Sequence, residues 1–363
     1  MKVIEKIKEW LSKDKRALWT ATLSMIVMGM IAIAYVSPYM AMRTGWPVHT
    51  FTMNYIPYLI LGLLMLWGCS KMPKKLMISL SYVMLGFGLF LLMMSVLNPF
   101  IIKGAARYVP FCGVNLNPYM LILPAYVVLV SHWLSKATTP NNQMMRWIGS
   151  GLLTAVICMA AFFAPYMYMV MTYSMIFIVI TMYANKNMPH VLKASLLLAA
   201  GFFVGVFVTG MSLPHVTRRL IQVVTGDGYL VEMTHRVMRE TGLFWYTNGS
   251  IESIGHLPDI ATDFMFSGIM GRFGLCTGIL VLMLFIWTGK LIAKQAAETN
   301  DQFQKLLCVG TLMIFALSAF FNISTSIGGI MHTSYLPFMS FSRSGMIAFC
   351  IMFGFLLAKP EKK

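Results

Sequence analysis

Long apolar runs separated by short polar segments recur along almost the whole chain. They do not alternate with a period of two, so they predict helices and not strands. An apolar helix of about 20 residues is long enough to cross the hydrocarbon core of a bilayer. Ten such spans are predicted, and Pro165 either breaks one apolar stretch into the fifth and sixth spans or only kinks a single helix. They cover residues 18–37, 55–70, 76–97, 117–134, 147–164, 168–184, 192–211, 264–289, 306–327 and 341–358.

The composition supports a membrane protein. Hydrophobic residues make up 58% of the 363 residues and charged residues only 11%, whereas a soluble domain carries about 25% charged residues. No stretch has the mixed composition of a large soluble domain. In lipid, backbone groups must be satisfied within each segment, which favours helices. The predicted fold is therefore an all-α, polytopic membrane helix bundle of about ten transmembrane helices, with one long ordered outer loop.

The charges orient this arrangement. The formal net charge is +16, but Lys and Arg concentrate in alternate short loops and at both ends and form no continuous basic face. Positive residues favour the cytoplasmic side of a membrane, so both termini are predicted to be cytoplasmic. Because the cations form no continuous basic face, nucleic acid is excluded as a partner. The predicted organisation is a basic amphipathic tail over 1–17, one transmembrane domain over 18–358 with its outer loop at 212–262, and a short tail over 359–363.

Cations on the predicted outer side are the first candidates for chemistry, because charge near the membrane is costly. Lys103 and Arg107 flank a flexible glycine segment, and Arg218 and Arg219 follow span seven beside His215. Arginine binds phosphate bidentately, so each group is a candidate anion site. The alternative is that these cations only anchor helix ends at the membrane surface.

Asp263 is the candidate acid or base, because it lies in the segment LPDIATDF, directly before span eight. An aspartate there can cap the helix N-terminus, as can Thr262. It can also be a partly desolvated carboxylate that takes up a proton during catalysis. The residues alone leave both interpretations open.

Four groups of segments gain significance from their order along the chain. They are Gly104–Tyr108 with Asn117–Pro118; Gly228–Val231 with Thr241–Phe244; Leu257–Phe266; and Asn322–Ser324 with Leu336–Ser340. In turn they resemble GARRW with a QPSE-type helix start, GYQLVQSL with GGLFG, LPEAHTDFIF, and the Asn-Ile-Gly and LPFxS blocks of the SEDS family. That family includes FtsW, RodA and SpoVE, and the resemblance covers nearly the whole chain.

The resemblance implies a peptidoglycan glycosyltransferase that polymerises lipid II at the outer face of the bacterial cytoplasmic (inner) membrane. It also implies a class B penicillin-binding protein and other divisome or elongasome membrane proteins as partners. FtsW-like use in division is preferred over RodA-like use in elongation. The family's essential aspartate falls on Asp263, and the expected substrate-binding residues are Arg107, Lys103, Arg218, Arg219, Asn322 and Ser340.

This assignment predicts that Asp263 and Arg107 face one outward-opening cavity. The residues make no cofactor certain and no ligand cluster demands a metal, while a divalent cation on the diphosphate is left open.

Several family positions are changed in this chain. Ala261 stands in place of a histidine and Met120 in place of a glutamate. The acid expected near Pro165-Tyr166 is absent, and a GEE motif appears as Met270-Gly271-Arg272. Two further functions therefore stay open: a flippase or transporter of a lipid-linked cell-wall precursor, and a non-catalytic division scaffold.

Overall fold

The computed structural model of the chain describes residues 14–97, 100–102, 105–111, 113–136, 140–164, 166–184, 228–329 and 334–358. Several predictions lie outside these ranges: Lys103, Arg218, Arg219, the span at 192–211, both terminal tails apart from residues 14–17, and the first part of the long loop.

Twelve helices and three short strands make up the described part of the chain. The helices are α1 Asp14–Thr44, α2 Thr50–Ser70, α3 Lys74–Leu97, α4 Pro118–Ser135, α5 Pro140–Phe163, α6 Met167–Ala184, α7 Tyr229–Glu240, α8 Asn248–His256, α9 Met265–Phe273, α10 Leu275–Glu298, α11 Gln302–Ser326 and α12 Arg343–Leu357. The strands are β1 Phe100–Ile102, β2 Ala105–Phe111 and β3 Val114–Leu116.

Eight of these helices are long and apolar enough to span a membrane: α1 to α6, α10 and α11. Seven of them match predicted spans and α10 matches the later part of the span at 264–289, so the polytopic helical membrane fold is confirmed. The proline break is also confirmed, because α5 ends at Phe163 and α6 begins at Met167. The last predicted span is observed as α12, a shorter apolar helix of 15 residues.

The prediction of one continuous span over 264–289 was wrong. The chain forms two helices there, α9 and α10, separated at Gly274. Gly274 has φ +89°, and a Cβ at this position would lie 2.5 Å from the carbonyl carbon of Phe244. Only glycine accepts this backbone without strain, so the helix ends where the 242–246 segment packs against it.

A small antiparallel sheet, in the order β1-β2-β3, was also not predicted. It occupies the segment between α3 and α4, where Tyr108 pairs with Phe100 and Val109 with Leu116. The long loop contains α7 and α8 in its described part. Helix α8 begins with a capping box, in which Thr247 and Ser250 exchange side-chain and backbone hydrogen bonds.

The described residues fall into two compact units. The first takes the described residues within 14–60, 228–291 and 315–342, and the second those within 61–184, 292–314 and 343–358. In the first unit, α9 packs closely on α1, because a Cβ at Gly268 would lie 2.6 Å from Val36. The Ser267 hydroxyl also donates to the carbonyl oxygen of Ser326 over 2.6 Å.

Helix α4 is the core of the second unit, and its residues from Pro118 to Ser131 are nearly all buried. Asn117 caps this helix, since its side chain accepts the Met120 N–H and Pro118 occupies the first turn. The Tyr173 hydroxyl donates to the carbonyl oxygen of Tyr119 over 2.6 Å. Such bonds satisfy buried polar groups where no water is available.

Candidate functional site

Asp263 lies in a tight turn that precedes α9. The turn is built on the carbonyl oxygen of Asp259, which accepts the N–H groups of Thr262, Asp263 and Phe264 over 2.9, 3.0 and 3.4 Å. Asp259 has φ +54°, a left-handed conformation that aspartate tolerates better than most residues. Asp263 itself is neither fully buried nor fully exposed. The carboxylate is therefore carried on a compact turn and not on a helix.

A second turn at 336–340 packs in the same unit. The Leu336 carbonyl accepts the N–H groups of Met339 and Ser340 over 3.0 and 2.9 Å. Phe338 has φ +63°, which is unusual for a bulky residue. Its carbonyl oxygen lies so close to α1 that a Cβ at Gly29 would come within 2.1 Å of it. Backbone conformations of this kind persist only where the surroundings hold them, and they cluster at functional sites.

Hydrogen bonds join the two turns directly. The Ser340 hydroxyl accepts the Leu336 N–H over 2.8 Å and donates to the carbonyl oxygen of Thr262 over 2.8 Å. The Phe341 N–H donates to the carbonyl oxygen of Ala261 over 2.8 Å. The backbone before Asp263 is therefore fixed to the segment that carries Ser340.

Asn322, on α11, is the third component of this site. Its buried side-chain amide nitrogen, Nδ2, lies 3.1 Å from the carbonyl oxygen of Thr262, 3.1 Å from that of Asp263 and 3.0 Å from that of Ser334. An amide has two hydrogens, so the three oxygens share them. Asp263, Asn322 and Ser340 are distant along the chain, and the fold brings them together. Asn322 and Ser340 contact the backbone that holds Asp263.

The capping interpretation of Asp263 and Thr262 is not supported by this geometry. The N-cap position of α9 is Phe264, and no side-chain hydrogen bond caps the helix there. The Thr262 hydroxyl instead donates to the carbonyl oxygen of Asp259 over 3.0 Å.

Arg107 belongs to the second unit, on β2. Its guanidinium carbon lies 5.3 Å from the ring centroid of Tyr166, a cation–π contact. The Arg107 Nε is buried and has no hydrogen-bond partner among the described residues. Tyr166 was not predicted as a site residue. It stands where the family resemblance expects an acid, so an aromatic ring replaces a carboxylate beside this cation.

The cap of α4 extends the cluster around Tyr166. The Asn117 backbone N–H donates to the Ser344 hydroxyl over 3.0 Å, and the Asn117 amide reaches the Tyr166 hydroxyl at 3.5 Å. Tyr119 packs edge-on to Tyr166 with ring centroids 5.5 Å apart. Arg107 is therefore a half-buried arginine among aromatic and amide groups of the second unit.

A charged cluster holds α7 and α8 together outside the spans. The Ser253 hydroxyl donates to the Glu240 carboxylate, and Arg236 pairs with the same carboxylate at 3.0 Å. These two contacts, the Ser253 hydrogen bond first, hold the pKa of Glu240 below its usual value. Within the ranges that the structure describes, no three His, Cys, Asp or Glu side chains group as metal ligands.

Fold and site together define a polytopic helical membrane protein whose carboxylate-bearing turn is braced by a buried amide. The family profile named for FtsW, RodA and SpoVE, described as cell cycle protein, matches residues 15–362. The chain therefore belongs to the FtsW/RodA/SpoVE family.

Similar proteins agree with this membership. A probable peptidoglycan glycosyltransferase FtsW of Coxiella burnetii is 25% identical over 354 residues, which is 93% of each chain. One of Caulobacter vibrioides is 24% identical over 364 residues, covering 98% of this chain and 90% of the relative.

Solved structures share the fold. A chain from a study of how a peptidoglycan synthase complex coordinates polymerization and crosslinking aligns with TM-score 0.75 and 18% identity, covering 94% of this chain and 96% of its own length. The rod shape determining protein RodA of Thermus thermophilus aligns with TM-score 0.66 and 16% identity, covering 94% of each chain.

Replacing Asn322 tests the brace. Asn322→Ala removes a donor shared by three carbonyl oxygens, and each lost hydrogen bond costs about 1 kcal/mol. Asn322→Asp offers those oxygens a carboxylate with no donor, so it should lower the thermal unfolding temperature further than Asn322→Ala does. Unfolding of the purified protein in detergent measures both. Asn115→Asp, at an exposed position on β3, is the control and should change little. Equal unfolding temperatures for Asn322→Asp and the parent would refute the brace.

Proposed function

We propose that this protein is a peptidoglycan glycosyltransferase that polymerises lipid II during cell division or wall growth. Membership of the FtsW/RodA/SpoVE family supports this function, as do relatives of matching length named probable peptidoglycan glycosyltransferase FtsW. The single observation that carries the proposal is the turn that holds Asp263. Two other chain segments fix its backbone, which is the preorganisation that a catalytic group needs.

Asp263 is the proposed general base. The hydroxyl of the acceptor sugar attacks the anomeric carbon of the donor and forms the new glycosidic C–O bond. The bond from that carbon to the diphosphate oxygen breaks, and the polyprenyl diphosphate leaves with the electron pair. The proton of the attacking hydroxyl passes to the Asp263 carboxylate. A positioned base of this kind contributes about 10²- to 10⁴-fold in rate.

Cations are needed to stabilise the negative charge of the leaving diphosphate. Among the candidate cations, Arg107 is the one that lies within the described residues. A cation–π contact uses the face of the guanidinium and leaves its in-plane N–H donors available for phosphate oxygens. The buried Nε of Arg107, with no partner in the described part of the chain, supports this role. Lys103, Arg218 and Arg219 remain further candidates from the sequence. A divalent cation is not required by the proposal, and assays with added magnesium or with chelator test for one.

The location and partners belong to the same proposal. Lipid II polymerisation is assigned to the outer face of the cytoplasmic membrane, with both termini inside, on the distribution of Lys and Arg in the sequence. A class B penicillin-binding protein is the proposed partner. The likeness in fold to a chain from a peptidoglycan synthase complex supports a shared assembly.

Asp263→Asn and Asp263→Ala should abolish glycan strand formation from labelled lipid II. We expect a rate loss of about 10²- to 10⁴-fold with folding intact. The assay uses the purified full chain, with and without the penicillin-binding protein, and thermal unfolding controls for folding.

Other outcomes of this assay identify the alternatives. Less than about threefold loss would exclude Asp263 as the base. Parent protein that moves lipid II across proteoliposome bilayers but never makes strands would indicate a flippase. Complementation of a deletion by Asp263→Ala would indicate a scaffold.

Arg107→Ala should lower the polymerisation rate more than Arg43→Ala does. Arg43 is an exposed cation of the first unit that donates to the carbonyl oxygen of His256, so it controls for a general loss of charge. Arg107→Lys keeps the charge but not the planar donors, and we expect it to restore only part of the rate. Equal effects of Arg107→Ala and Arg43→Ala would contradict a specific role for Arg107.

A further inference from the structure

An apolar groove of about 200 Å³ lies in the first unit, and Met339 of the 336–340 turn is one of its lining residues. Helix α1 contributes Met28, Ile31 and Ala32, while α9 and α10 contribute Ile269, Phe273 and Thr277 among others. The Thr277 hydroxyl is used within its own helix, where it donates to the carbonyl oxygen of Phe273 over 3.0 Å. The lining is therefore almost wholly apolar and suits contact with a hydrocarbon chain.

A cation lies beside this groove. The guanidinium carbon of Arg272 is 5.5 Å from the ring centroid of Tyr35 and 4.5 Å from that of Tyr246. The Tyr35 ring in turn packs edge-on against Phe273, which lines the groove, with centroids 5.7 Å apart. Arg272 is therefore connected to the groove through the contact between Tyr35 and Phe273.

Arg272 has no carboxylate partner among the ion pairs of the described residues. The two tyrosine rings contact the guanidinium through cation–π geometry, which does not consume its in-plane N–H donors. The charge of Arg272 is also opposite to the charge that the family resemblance implies, because Arg272 falls in the segment that corresponds to the acidic GEE motif. A half-buried arginine without a carboxylate favours an external anion.

The surroundings indicate where that anion comes from. Leu243, Phe244 and Trp245 are 56%, 66% and 72% exposed. This segment is attached to the start of α10, because the Leu275 N–H donates to the carbonyl oxygen of Gly242 over 2.9 Å and the Cys276 N–H to that of Leu243 over 3.0 Å.

The exposed apolar surface continues along α10, a membrane-spanning helix, through Ile279, Met283 and Ile286. Exposed apolar side chains on such a helix face lipid, and tryptophan and tyrosine favour the level of the lipid headgroups. The cation, the aromatic segment and the groove therefore adjoin lipid-facing protein, where phospholipid phosphates are the abundant anions.

We propose that this groove binds one anionic phospholipid of the surrounding bilayer, with an acyl chain against Ile31, Phe273 and Thr277 and the phosphate on the Arg272 guanidinium. None of the groove's lining residues is a proposed catalytic or substrate-binding residue, although Met339 belongs to the turn that holds the Asp263 backbone. If Arg272 only fastened Tyr246 to α9, its replacement would change stability but not lipid selectivity.

Native mass spectrometry of the detergent-purified full chain, titrated with phosphatidylglycerol or phosphatidylcholine, tests the headgroup contact. The parent should retain phosphatidylglycerol preferentially. Arg272→Gln should weaken that binding roughly tenfold and bring it to the level of phosphatidylcholine, while Arg272→Lys keeps part of the preference. Arg43→Gln is the matched control and should leave the preference unchanged. Thermal unfolding shows that each variant is folded.

A second pair of variants tests the groove. Thr277→Phe fills it and should weaken both lipids, whereas Ile279→Phe adds similar bulk on the same helix outside the lining and should weaken neither. Equal phosphatidylglycerol binding by the parent and folded Arg272→Gln would overturn the proposal. Undecaprenyl diphosphate that displaces the bound lipid, when excess phosphatidylglycerol does not, would also overturn it, because the site would then belong to a polyprenyl substrate.

Discussion

The buried amide of Asn322 donates to the carbonyl oxygens of Thr262 and Asp263, and the position of the proposed base depends on this interaction. Hydrogen bonds strengthen in surroundings of low dielectric constant, and an unpaired carbonyl there is costly. Ser340 adds a second contact to Thr262. Because α11 and the 336–340 turn both hold the same backbone, Asp263 is carried on a rigid element although it lies outside any helix.

Local backbone conformation explains how so short a segment carries a functional group. Asp259 and Phe338 both have positive φ angles, and each begins or forms a turn whose N–H groups converge on one carbonyl oxygen. Gly29 on α1 makes room for the carbonyl of Phe338. Small and strained positions far apart in sequence therefore define one site, which is typical of functional regions.

Much of the fold follows from apolar run length alone, because a bilayer requires helices of nearly fixed length. The break at Gly274 does not follow, since it depends on the Phe244 backbone packing against that residue. The small sheet depends equally on pairing between residues that the hydropathy does not distinguish. Motif order singled out Asp263, Asn322 and Ser340, but it gave no sign that the last two bond to the backbone around the first. Tyr166 beside Arg107 was missed because an aromatic residue next to a proline gives no signal of a cation–π contact.

The central claim is that Asp263 takes a proton during glycosyl transfer, and the pH dependence of polymerisation tests it most directly. Strand formation from lipid II should be measured across the acidic range for the parent and for Asp263→Asn. The parent rate should rise with pH as the carboxyl group loses its proton and then level off, and the residual rate of Asp263→Asn should lack that rise. The same rise in both proteins would contradict the assignment of Asp263 as the base.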